Sequence, residues 1–282
     1  MRSIKPYIWI LPALAFITAL KFYPIFFSIA LSLFEWNVFE PEPFGNFIGF
    51  SNYRQLLQDG TFINAFVQSI VYTVSTITIQ LGIAYLLAVF IFFGKFWGAD
   101  TIRAIIFFPG VVSAVFVANA SRRLVFLRDG IIYRVTNMVG LPDIFLLPEY
   151  AFEIVLFIGL WQFIGFNLII FYAGLQSLDK EVLDSARIDG AGFWRLVINI
   201  VTPLQRLTML VVAMFNVIFA VQLFDLPKVF GGNVLGTYLV NVSFGSRIGG
   251  PLGYASAMST VMIVMMLLFS YLRSRLLSRI DY

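Results

Sequence analysis

An all-α polytopic membrane protein with six transmembrane helices is the fold class this sequence predicts, and three observations predict it. Of the 282 residues, 60% are hydrophobic and 12% charged, whereas a soluble domain carries about 25% charged residues. The apolar residues form continuous runs long enough for the roughly 20 helical residues that cross about 30 Å of hydrocarbon. Those runs do not alternate every second residue, as the strands of a membrane barrel must. Because the runs follow one another along the whole length, no stretch is left for a separate soluble core. A single transmembrane domain over 1–282 is expected.

The runs fall near 7–34, 64–93, 103–126, 152–175, 206–226 and 254–277. The first follows Arg2 and Lys5, as the apolar part of a secretory signal would. It continues past Pro24 to Phe34 with no small-residue cleavage site, so it reads as an uncleaved span. After it, Glu35, Glu40, Glu42 and Asp59 stand against Arg54 among Pro and Gly, the composition of a loop in water. Pro12, Pro24, Pro109 and Pro203 lie within spans or at their ends, where a missing N–H and a freed carbonyl produce kinks or termini. With the N-terminus inside, the inner basic residues are Arg2, Lys5, Lys95, Arg103, Lys180, Arg187, Arg195, Arg206 and those at the C-terminal end. They outnumber the outer set of Arg54, Arg122, Arg123, Arg128, Arg134, Lys228 and Arg247, so both termini are assigned to the cytoplasm.

Composition also removes functions. The chain has neither cysteine nor histidine, which excludes disulfide frameworks, thiol nucleophiles, histidine-based catalysis and most transition-metal sites. The net charge of +4 is scattered between apolar runs and forms no basic patch for nucleic acid. Gly94-Lys95 is followed by Phe96, and Val89 stands where a phosphate-binding loop needs its first glycine, so this chain binds no ATP by that route. Glu153 and Asp225 sit near span ends, leaving Lys21 as the one deep charge. It reads either as a substrate or proton site, or as a side chain that snorkels or bonds a carbonyl freed by Pro24.

Between the fourth and fifth runs lies a hydrophilic insert, 177–203. Ser177 or Asp179 can cap a helix running to Ile188, Glu181 meets its positive end, and Gly190 can close it in left-handed geometry. A second helix from Gly192 places Trp194, Val197, Ile198 and Val201 on one face before Pro203 ends it and span five begins. Two short helices at an angle make a knob, the alternative being an amphipathic segment lying on the membrane surface.

The insert resembles the coupling loop of permease subunits in binding-protein-dependent ABC importers, whose pattern is Glu-Ala-Ala, a Gly after three residues, and Ile-x-Leu-Pro after nine more. Asp184-Ser185-Ala186, Gly190 and Ile200-Val201-Thr202-Pro203 stand at that spacing. Nearly the whole chain is similar to the first permease of carbohydrate-type importers related to those for maltose and glycerol phosphate. Phe22-Tyr23-Pro24, Phe47-Ile48-Gly49-Phe50-Ser51-Asn52-Tyr53, Phe107-Phe108-Pro109, Gly174-Leu175-Gln176-Ser177 and Gln222-Leu223-Phe224-Asp225 carry that similarity. Ser121-Arg122-Arg123 and Gly231-Gly232-Asn233 depart from the family pattern, on segments expected near the external face.

The resemblance implies a type I importer permease fold with a cytoplasmic coupling helix, in a bacterial or archaeal cytoplasmic membrane. It implies a transport subunit rather than an enzyme, forming half of the pathway for a carbohydrate, polyol or glycoside. Asp184, Ser185, Ala186, Asp189, Gly190, Trp194 and Pro203 would serve ATPase coupling. The implied partners are an ATP-binding subunit dimer that holds ATP and Mg, a second non-identical permease, and an extracytoplasmic solute-binding protein reaching loops 35–63 and 227–253. Asn216, Gln222, Asn167, Trp161 and Asn119 are the neutral polar and aromatic candidates for a sugar path, each also suited to joining helices. A self-sufficient secondary transporter is the competing reading, and an intramembrane enzyme a third.

Overall fold

The computed structural model describes residues 5–94, 97–123, 130–140, 150–244 and 250–277. Lys95, Arg128, Arg247, Arg279 and the end of the expected third span lie outside them. The chain opens with α1 (Lys5–Ile17), a π-helical turn over Thr18–Phe22, and α2 (Tyr23–Leu31). A small antiparallel hairpin follows, β1 (Phe34–Glu35) paired with β2 (Asn46–Phe47), and then α3 (Ser51–Gln58). Next come α4 (Gly60–Ser75), a π turn over Thr76–Gln80 and α5 (Leu81–Gly94), together one apolar run of 35 residues. The middle of the chain holds α6 (Ala99–Val111), α7 (Ala114–Ser121), α8 (Ile131–Met138) and α9 (Ala151–Gln176). The insert contains α10 (Lys180–Ile188), α11 (Phe193–Leu196), a π turn over Val197–Val201 and α12 (Thr202–Leu204). The chain ends with α13 (Arg206–Val221), α14 (Asp225–Phe230), α15 (Leu235–Phe244) and α16 (Leu252–Leu277).

Five helical runs among the described residues are long and apolar enough to cross a membrane, and a bent pair, α6 and α7, brings the number to six. The expected third span is therefore not one rod. Its two halves meet at 95° because Val112 and Ser113 take extended backbone, with ψ of 141° and 132°. The bend falls three residues after Pro109, and the Val112 carbonyl left free there accepts Gln162 Nε2 at 3.2 Å.

The chain divides into two compact units, one of residues 1–63 with 238–265, the other of 64–237 with 266–282. In the first, the Phe47–Tyr53 element closes the end of α2. Gly49 turns the backbone at φ +58°, so that Asn52, buried, donates to the Ser32 and Phe34 carbonyls at 2.8 and 3.0 Å. The Tyr53 hydroxyl lies 2.7 Å from Ser32 Oγ. Phe27, Phe34, Phe44 and Phe47 meet edge to face across the hairpin.

Asp59 ties three helices of this unit. Its Oδ1 accepts the Thr61 N–H at 2.8 Å at the start of α4, and its Oδ2 accepts the hydroxyls of Tyr238 on α15 and Tyr254 on α16 at 2.5 and 2.6 Å. Burial pushes the Asp59 carboxyl upward, but the two tyrosine hydroxyls and the backbone N–H groups outweigh it and hold the pKa below the ordinary 3.8. A lowered folded-state pKa stabilises above the unfolded value and loses that contribution as pH falls through the folded one. The stability advantage of the wild type over Asp59→Asn is therefore expected to be constant near neutrality and to shrink below about pH 4, read as thermal unfolding of the purified protein against pH.

In the second unit α5 and α9 form the centre. Ala84, Ala88, Val89, Leu168, Phe171 and Leu175 are buried with Val197, Val201 and Val212 in one apolar cluster. Close approach depends on glycine. A Cβ at Gly165 of α9 would overlap the Ile106 carbonyl and Phe107 Cα of α6, and one at Gly159 would overlap the Tyr72 hydroxyl.

Candidate functional site

Two features of the second unit belong together: a knob at the end of α9, and a cavity part-way along it.

The knob is built by local rules. Asp179, not Ser177, caps α10, accepting the Glu181 N–H at 2.9 Å. At the other end Gly190 sits at φ +80°, with Gly190 N–H donating to the Arg187 carbonyl and Ala191 N–H to the Ala186 carbonyl, both at 3.0 Å. This is a Schellman closure that a residue with a side chain adopts only under strain. Asp184 and Arg187 form an exposed pair at 3.1 Å within the helix.

Burial then divides the expected coupling residues. Leu183 and Ala186 pack inward beside Leu196. The small volume at Ala186 thus serves this chain's own core rather than close approach to a partner. Asp184, Ser185, Ile188, Asp189 and Gly190 face out, Ile188 with 86% of its surface exposed.

The expected second face also divides. Val197 and Val201 are buried whereas Trp194 and Ile198 are exposed, since the π turn over Val197–Val201 changes the angular spacing of successive side chains. Trp194 and Phe193 rest on Phe90 of α5 with ring centroids 5.9 Å away, and Phe193 meets Phe93 edge to face. The Arg187 guanidinium stands 5.9 Å over the Phe93 ring.

The joint to span five lies at Gln205 rather than at Pro203. Pro203 lies in the last turn of the continuous helical run Phe193–Leu204, directly after the π turn, and the chain turns at Gln205 with φ −86° and ψ 3°. Thr202 Oγ1 donates to the Val197 carbonyl and lies 2.8 Å from the Tyr85 hydroxyl. Gly174 lacks the Cβ that would collide with Gln205 and Thr208, so the ends of α9 and α13 close on each other around the base of the knob.

The cavity, about 350 Å³, opens between α4, α6, α7, α9 and α13. Gly110 and Ala114 line it from either side of the α6–α7 bend, and Phe163, Phe166, Phe215 and Phe219 supply ring faces. Asn167 and Asn216, both buried, exchange hydrogen bonds across it at 3.2 and 3.0 Å, and Asn216 Nδ2 also reaches the Val212 carbonyl at 2.9 Å. Gln222 lines the cavity too.

Two other candidates lie elsewhere. Trp161 is half exposed and outside the lining, and Asn119 is exposed with its amide spent on the Val115 carbonyl of its own helix. Thr76 and Gln80, on the π turn after α4, line the cavity without having been expected to. Gln80 donates to the Gly159 and Leu160 carbonyls at 3.2 and 2.8 Å. A polar amide in the middle of an apolar run is the signal that could have singled it out. Among the described residues, the only charged residue of the lining is Asp225.

Comparison with known proteins gives a consistent picture. The model of the family described as "Binding-protein-dependent transport system inner membrane component" matches residues 45–282. The probable ABC transporter permease protein YurN of Bacillus subtilis is 27% identical over 97% of this chain and 96% of its own length. The lactose transport system permease protein LacF of Rhizobium radiobacter is 26% identical over 96% and 93%. The diacetylchitobiose uptake system permease protein NgcF of Streptomyces coelicolor is 28% identical over 87% and 74%. Among solved structures, a chain of a bacterial alginate ABC transporter in complex with an alginate pentasaccharide-bound periplasmic protein superposes with a TM-score of 0.82. It is 19% identical, and the match covers 99% of this chain and 96% of that one.

Proposed function

The chain belongs to the family of binding-protein-dependent inner membrane transport components, and from that premise we propose that it forms half of the pathway through which an ATP-driven importer moves an uncharged carbohydrate, polyol or glycoside. It is a membrane-spanning transport subunit. One observation carries the reading: the knob and the cavity are built on the same two helices. α9 holds Asn167 and runs into the knob, and α13 leaves the knob and holds Asn216. A push on the knob from a cytoplasmic ATPase dimer, which holds ATP and Mg, therefore reaches the cavity through continuous helix. In this reading one membrane domain has both termini in the cytoplasm. A second, non-identical permease completes the pathway, and a solute-binding protein meets the external loops around 35–63 and 227–253.

The cavity chemistry supports a neutral sugar. Ring faces stack on the apolar faces of a pyranose, while amides donate to and accept from its hydroxyls. The Asn167–Asn216 pair satisfies itself when nothing is bound, so exchanging that pairing for sugar hydroxyls leaves no buried amide unmet. Among the described residues no lysine or arginine lines the wall, and Arg122 and Arg123, which would suit an anion, are outside it. The relatives that move lactose and diacetylchitobiose carry neutral sugars.

The test is to purify the complex through this chain, identify its companions, and measure which carbohydrate, offered with the binding protein, raises ATP hydrolysis. Neutral mono- and disaccharides are expected to stimulate. Asn216→Leu leaves Asn167 without its partner and is expected to cut the stimulated rate about tenfold. A complex stimulated by amino acids or metal ions and by no sugar would remove the substrate assignment.

A further inference from the structure

Lys21 is unexplained by anything above. It lies in the π turn Thr18–Phe22 within the apolar run Trp9–Leu31, whose most apolar stretch is only 6% buried. At 1.5 Å per residue it is about 15 Å from the nearer end of that run. A four-carbon stem does not carry the ammonium that far to either surface. The freed-carbonyl alternative is also absent, because among the described residues Lys21 has no hydrogen bond or ion pair. In the backbone there, the Tyr23 N–H closes on the Thr18 carbonyl. A charge at mid-membrane depth facing lipid is costly, and such residues pair inside a bundle.

The chemistry of the missing partner follows from the spans of this chain. Among the described residues their carboxylates are Asp100 at the start of α6, Glu153 at the start of α9 and Asp225 at the start of α14, within a few residues of span ends. Among the described residues, a second copy of this chain thus offers no acid near the middle of a span. We infer that Lys21 forms a mid-membrane ion pair with a carboxylate on a helix of a different permease chain, which covers the α1–α2 run. This inference rests on the heteromeric importer proposed above and names the chemistry of one of its contacts. It also supplies a physical reason for the two permeases to differ, since an unpaired cation disfavours a homodimer.

Two measurements on the complete importer test it. A benzophenone residue at position 18, one turn from Lys21, is expected to crosslink on illumination to the second permease. Lys21→Met makes the span more apolar, so insertion is retained, while recovery of the second permease with this chain is expected to fall about tenfold. Lys21→Arg, which keeps the charge, is expected to hold recovery near wild type. Crosslinks confined to lipid, to this chain or to a second copy of it overturn the inference, as does Lys21→Met with undiminished recovery. If no second permease accompanies the wild-type chain, the heteromeric reading falls and this inference with it. If one accompanies it but is not crosslinked, only the ion pair falls.

Discussion

Replacing Gly190 by proline is expected to reduce sugar-stimulated ATP hydrolysis of the complex to its unstimulated rate while leaving the chain in the membrane. Gly190 holds φ +80° and gives its N–H to the Arg187 carbonyl. Proline fixes φ near −65° and has no N–H, and it also drives the preceding residue away from helical geometry. The Schellman closure is lost, and the outward group of Ser185, Ile188 and Asp189 no longer keeps its shape. The core under the knob, from Leu183 to Val201, and the spans themselves are untouched, so insertion survives. Gly190→Ala separates the causes: it keeps the N–H and costs only the left-handed strain, about 1 kcal/mol, so most stimulation should remain. The measurement is ATPase rate with and without sugar-loaded binding protein, beside membrane content by immunoblot. Undiminished stimulation in the proline variant would mean that the knob transmits nothing.

Gly165→Ala is expected to have the largest effect on stability, about 3 kcal/mol, at the upper end of what overpacking costs. The added methyl would overlap backbone atoms of Ile106 and Phe107, and backbone, unlike the end of a flexible side chain, cannot step aside without moving a helix. α6 would have to part from α9, which also pulls the Val112 carbonyl from Gln162 and displaces Gly110 on the cavity wall. Thermal unfolding in detergent and the yield of assembled complex report this loss. Gly82, with no atom within 4 Å of a Cβ, is the matched control at which alanine should be tolerated, because alanine is the better helix former.

Some of this could be read from residues alone, for identifiable reasons. The spans are legible because the length of an apolar run is a local property set against the thickness of a bilayer. The knob is legible because Asp179, Glu181 and Gly190 act within one or two turns of themselves. The facing of residues is not legible in the same way. α9 is apolar around its whole circumference, so its pattern indicates no side. Trp161 and Asn167 look equally eligible in the sequence, yet only Asn167 meets the cavity. The Val197–Val201 π turn defeated the regular spacing that grouped Trp194 and Ile198 with Val197 and Val201.

By itself, then, the chain of residues determined a bundle of apolar helices and a capped hydrophilic knob between spans four and five, since run length and capping both operate between near neighbours. Tertiary structure alone decided the 95° break in the third span, the pairing of Asn167 with Asn216, and the inward turn of Ala186. Each of those depends on how far a helix is rotated about its axis and how closely it approaches another. That rotation is fixed by contacts between residues distant in sequence, such as Gly165 against Ile106 and Gly174 against Gln205.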